Sequence, residues 1–187
     1  MEGSGDNPKL SGQSVRDIRW AFEQLVGADV VATALARLPD PVREAYGDAS
    51  PLEWVDYDVV VDAHDAIARE AGTTMEALLE QAVPLAVERA FRTVWRVLVR
   101  FTSDAAMIAR TPLFYSKTRS KGEMRSELLG PGVAMCELTG WPKVPPRDVR
   151  ALTLSIETLL RLSAREEVVV TATKSPEGAR FDIRWRP

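Results

Sequence analysis

GEMRSELLGPGVAMCELTG, residues 122–140, reads as two strands around a Gly130-Pro131-Gly132 turn. EEVVVTATKSPEGARFDIRWR, residues 166–186, repeats that arrangement around the Lys174–Gly178 connection. In the second pair, Phe181, Ile183 and Trp185 alternate with Arg180, Asp182, Arg184 and Arg186. That is the period-two pattern of an antiparallel strand with one buried face, and it predicts that the three apolar side chains face helices. Val168–Val170 is β-branched and continuous, the pattern of a central strand. Between the hairpins, Pro146–Ala164 carries Val149, Leu152, Ile156, Leu159 and Leu160 on one side, the spacing of a helix that covers a sheet. The order is β-β-α-β-β, with Trp141-Pro142 at the sheet end.

The preceding half is helical. Ser14 reads as an N-cap, with Val15, Ile18, Phe22 and Leu25 behind it and Gly27 as the stop. Val30–Leu38 is a second, shorter helix. Pro39–Pro51 is a connector with a turn of helix at Val42–Tyr46, and Asp58–Ala71 is a helix closed by Gly72. Thr73 and Glu76 form a capping box ahead of the longest helical stretch, from about Thr74 to Phe101, in which Pro84 predicts a kink or break near Val83. Within it Val87, Phe91, Val94, Leu98 and Phe101 form one apolar stripe. Ser103 or Asp104 caps the next helix. The fold class is therefore α+β: a helical N-terminal half packed on a four-stranded antiparallel sheet. Residues 1–12, polar and rich in Gly and Ser, read as a flexible tail, and 13–187 as a single domain.

Composition narrows the function. A net charge of −3 gives no overall attraction to nucleic acid or anionic lipid. The single cysteine, Cys136, precludes an internal disulfide and a multi-thiolate metal site. No apolar run reaches the roughly 18 residues of a membrane span, and the reading is a cytoplasmic protein. There is no G-x-S-x-G, no phosphate-binding glycine loop and no H-E-x-x-H, so the expectation is a protein that is not an enzyme. Charge is segregated: from Asp48 to Glu80 nine carboxylates face Arg69 alone, and from Arg89 to Arg125 nine Lys/Arg face Asp104 and Glu123. Arg89, Arg92, Arg96 and Arg100 form a basic stripe down the long helix, open to pairing with the acidic helix or to an acidic protein partner. The stripe lacks the interleaved aromatics of single-strand nucleic-acid binders.

Leu129–Pro142, Glu167–Thr173 and Gly178–Trp185 have a cadence that resembles the C-terminal half of the vinyl-4-reductase-type domain superfamily. That group includes haem–nitric-oxide-binding domains, small TRAPP vesicle-tethering subunits and sensor domains of aromatic-responsive activators. The likeness extends over roughly Leu52–Trp185 and is closest to a bacterial paralogue family of the group. It implies a pocket between helices and sheet that takes haem, aromatic effectors or acyl chains, or a fold used for assembly. In the haem branch an axial His on a helix works with a Tyr-x-Ser-x-Arg cluster. Here Tyr115 and Arg119 have that spacing, but the middle position is Lys117. The sole histidine, His64, lies about 50 residues before Tyr115, an interval much longer than in that branch. The expectation is no haem and no metal. His64 reads as a boundary histidine on an acidic helix, and Asp58, Asp62 and Asp65 as a solvated face.

Trp54, Tyr57, Phe91, Trp95, Phe114 and Tyr115 would line the pocket that the resemblance implies; ordinary core packing accounts for the same residues. Two functions remain. One is a regulatory or sensory module that binds a small hydrophobic ligand. The other is a ligand-free assembly module that dimerises and docks proteins. A homodimer is expected in which the long helix or its neighbour supplies part of the contact, and Val15, Phe22 and Leu25 of the first helix with Val30, Val31 and Leu35 of the second find a second packing surface about a two-fold. Packing of those residues onto Leu78, Leu79 and Val83 would instead leave a monomer.

Overall fold

The computed structural model describes residues 7–91 and 103–186. Seven helices and six strands are formed by these residues. By compactness the chain divides into two units. The first comprises Met1–Ala86 with Thr118–Lys121, and the second Val87–Lys117 with Gly122–Pro187.

The first unit begins where a flexible tail was expected. Lys9–Ser11 is strand β1, antiparallel to β2, Trp54–Asp56. A three-residue strand is too short to show a periodicity, and only its distant partner defines it. Helix α1, Gly12–Val26, is capped by Ser11, whose hydroxyl accepts from the Ser14 amide. Ser14, read as the cap, is thus the residue being capped. Gly12 is fixed by crowding: its amide donates to the Glu53 carbonyl at 2.7 Å, and a Cβ there would lie 1.9 Å from the Ser50 carbonyl oxygen.

Helices α2 (Ala28–Ala36), α3 (Asp40–Gly47) and α4 (Tyr57–Glu70) complete the bundle, with α4 packed on both α2 and α3. Val15, Phe22, Val31 and Leu35 are buried here, while Leu25 and Val30 are half-buried. The surfaces assigned from sequence to a two-fold contact are largely consumed inside the unit. Helix α5, Met75–Ala90, is capped by the Thr74 hydroxyl, one residue later than the capping-box reading, and continues through Pro84. The unit boundary falls within it. Residues 118–121 return to the first unit, where Arg119 bridges Leu10 and Lys9 exchanges hydrogen bonds with Ser120.

The second unit is built on an antiparallel sheet of β3 (Glu123–Gly130), β4 (Val133–Thr139), β5 (Glu166–Ser175) and β6 (Gly178–Arg186), in the order β3-β4-β6-β5. Helix α6 spans Asp104–Thr118, and α7, Pro146–Leu162, packs against β5. Phe181 and Ile183 are wholly buried and Trp185 nearly so, while Arg180 and Arg184 are exposed, which is the register read from sequence. In that register Phe181 sits opposite Cys136 and Ala172, and Ile183 opposite Ala134 and Val170. One strand is placed differently: β5 is an edge, not a central strand. Val168 and Val170 are buried but Val169 is 56% exposed, so the continuous valines conceal an ordinary alternation.

Candidate functional site

Helix α6 contains Pro112, which has no N–H to give to the carbonyl of Ile108 four residues earlier. Ser126, inward-facing on β3, supplies the missing donor: its hydroxyl donates to the Ile108 oxygen at 2.6 Å. At the helix start the Ser103 hydroxyl accepts from the Ala106 amide. Arg165 donates through Nε and Nη2 to Asp104 Oδ1 at 2.9 and 2.6 Å, and through Nη1 to the Ser163 carbonyl. That arginine stands between two non-glycine residues with positive φ, Ala164 at 64° and Glu167 at 54°. Polar side chains thus pin α6 to sheet and turn. The Ser103 cap is the one read from the sequence; the contacts of Ser126 and Arg165 were not, although a proline inside a helical pattern was the available signal for Ser126.

Near this helix stand three of the proposed pocket residues. Phe91, just past α5, meets Phe114 of α6 edge-on, with ring centroids 5.4 Å apart. Tyr115 is buried, and its hydroxyl lies 3.1 Å from where a Cβ on Gly122 would be. Gly122 has φ +81°, so a side chain there is excluded twice over. Trp54 and Tyr57 belong to the first unit, with Trp54 43% exposed on β2 and Tyr57 opening α4. Trp95 lies outside the described residues. So do Arg92, Arg96 and Arg100 of the basic stripe, leaving Arg89, half-buried on α5, as its described member.

His64 is not a boundary residue. It is buried on α4 of the first unit, edge-on to Phe22 of α1 at 4.9 Å and to Tyr46 of α3 at 5.7 Å. Tyr46 is wholly buried, its hydroxyl has no hydrogen-bond partner, and burial pushes the phenol far above its usual range. Neither Phe22 nor Tyr46 was read as a companion of His64, because the contact joins three helices far apart in sequence. Of the three carboxylates read as a solvated face, Asp58 and Asp62 are exposed and Asp65 is half-buried.

Cys136 is not an activated nucleophile. Burial pushes the Cys136 thiol up to about 12, so it stays protonated at neutral pH. Among the described residues no group of three or more His, Cys, Asp or Glu could hold a metal, and no helix is long and apolar enough to cross a membrane.

Solved structures share this architecture. An Fe(II) unliganded H-NOX protein from K. algicida matches with a TM-score of 0.67 at 10% identity, covering 95% of this chain and 97% of that one. The fold is that of H-NOX domains. An oxygen-binding H-NOX domain related to soluble guanylate cyclases, solved as its oxygen complex, matches at 0.65 and 13% identity over 95% and 94% of the two chains. A mutant H-NOX from T. Tengcongensis matches at 0.66 and 15%, over 95% and 98%. No protein-family model matches the sequence, and no curated protein does.

The H-NOX-like fold raises the question of haem, and the residues present do not fit a histidine-ligated one. Such a haem needs an imidazole on the iron. The single imidazole of this chain is packed between Phe22 and Tyr46 in the first unit, and residues 87–117 contain no histidine. Position 117, serine in the motif that the sequence resembles, is an exposed lysine.

Proposed function

We propose that this chain is a non-enzymatic sensory or regulatory module that uses an H-NOX-like fold to bind a small hydrophobic ligand without a histidine-ligated haem. The observation that carries the reading is the combination of that fold with a sole histidine committed to aromatic packing in the first unit. The ligand lies against Phe91, Phe114 and Tyr115 of the second unit, where the helix that carries the last two is pinned to its sheet. Apolar contact and one phenol hydroxyl suit an uncharged, partly aromatic molecule. The module acts in the cytoplasm, and the arginines from Arg89 onward receive an acidic protein partner.

Native mass spectrometry of the purified protein, with haemin titration followed by absorption, tests this. The expected results are a bound or exchangeable small apolar molecule and no stoichiometric Soret band. One-to-one haem uptake with a Soret band abolished in His64→Ala would refute it.

A ligand-free assembly module is the second reading. It is favoured by the exposed Leu128, Leu129 and Val133 beside the β3–β4 turn. Self-association as a homodimer belongs to either reading.

A further inference from the structure

Strand β3 is an edge of the four-stranded sheet, and among the described residues no strand lies along its outer side. An edge strand offers a row of backbone donors and acceptors to any strand that fits it. Its pairing with β4 is regular from Glu123 to Leu128, and the register shift comes only between Leu128 and Gly130. Glu123, Arg125 and Glu127 are exposed and share one face, while Met124, Ser126 and Leu128 share the other. Across the sheet Arg125 stands opposite Glu137, which stands opposite Arg180. Glu127 stands opposite Met135, whose other neighbour is Asp182, so its row holds no cation.

We propose that β3 pairs antiparallel with β3 of a second copy of this chain about a two-fold axis at Ser126, giving a continuous eight-stranded sheet. This register places Arg125 of each copy opposite Glu127 of the other, forming two cross-strand ion pairs and supplying the cation that the Glu127 row lacks. On the other face it sets Met124 against Leu128, which is 36% exposed in the single chain. Charge selects the register. An axis at Arg125 opposes two arginines, and an axis at Met124 pairs only three residues of the regular strand instead of five. The contact is isologous, as a two-fold requires, and it uses neither α1 nor α2, whose apolar faces are covered. It deepens the self-association reading and is independent of ligand binding.

Light scattering of the full chain, from micromolar to submillimolar concentration, tests it. The expected mass rises with concentration from 20.7 kDa towards twice that value. Glu127→Lys sets lysine against arginine at both pairs and should weaken association about tenfold. The doubly reversed Arg125→Glu/Glu127→Arg chain recovers it, because both partners change sign together. Mild oxidation of an equimolar mixture of Arg125→Cys and Glu127→Cys chains should give a disulfide-linked dimer that neither forms alone; the buried Cys136 does not compete. A mass constant at 20.7 kDa overturns the proposal. So does a dimer indifferent to Glu127→Lys, or cross-linking as strong in the single variants as in the mixture.

Discussion

Replacing Ser126 by alanine isolates the contact that holds α6 to the sheet. The variant removes one hydroxyl and leaves the Ile108 carbonyl without its donor at 2.6 Å, since Pro112 offers none. An unsatisfied, part-buried carbonyl costs about 1–3 kcal/mol, more than the net worth of an ordinary hydrogen bond. Urea unfolding followed by tryptophan fluorescence should show a lower midpoint with an unchanged slope. The decisive comparison is the same substitution in a Pro112→Ala background. There the alanine amide at 112 can close the normal helical bond to Ile108, so loss of the serine strands nothing, and the cost should fall to about 0.5 kcal/mol or less. The coupling between the two positions should then be about 1 kcal/mol or more. Equal losses in both backgrounds, agreeing within about 0.3 kcal/mol, would refute the role given to Pro112.

Three other outcomes are expected. Gly12→Ala should destabilise the first unit by about 3 kcal/mol or more, because its Cβ would meet the backbone oxygen of Ser50, and thermal unfolding by circular dichroism measures it. Cys136, with its thiol raised to about 12 and its side chain buried, should react with iodoacetamide at pH 8 far more slowly in the native protein than in urea. Tyr46→Phe should leave stability at pH 7 unchanged or raised by about 1 kcal/mol, since it deletes an unpartnered buried hydroxyl. The folded-state pKa of Tyr46 lies above its unfolded value of 10.0, so the unfolded chain loses that proton first. Stability therefore falls as pH climbs past 10, and the phenylalanine variant should lose less of it, as urea midpoints at pH 9 and pH 11 would show.

The sheet was legible because each hairpin declares itself locally: Gly130-Pro131-Gly132 turns the chain, and Phe181, Ile183 and Trp185 alternate with charge. What local pattern cannot convey is the order of strands. The three valines at 168–170 look interior, yet β5 lies at the sheet margin with Val169 in solvent. Lys9–Ser11 gave no sign of being a strand because its partner is 45 positions later, Lys9 facing Asp56 and Ser11 facing Trp54. Of the aromatic set, the meeting of Phe91 with Phe114 follows from two helical segments brought together in the fold. The packing of His64 between Phe22 and Tyr46 depends on three helices at once, and no spacing rule reaches that far. That residues 87–117 offer no imidazole to a haem iron is, by contrast, plain from the residues alone.

The return of residues 118–121 to the first unit has a consequence for how the chain is made. Strand β1 leaves the ribosome early, but Ser120, which closes its second side, is specified 111 codons after Lys9. About two thirds of the polypeptide must therefore be synthesised before the first unit has all its parts, and by then α6 has also been made. A fragment cut after Ala86 would contain α1 to α4 whole and still lack one of the unit's stitches. Excising the unit cleanly would take a permuted gene, with 118–121 joined ahead of β1, rather than a stop codon.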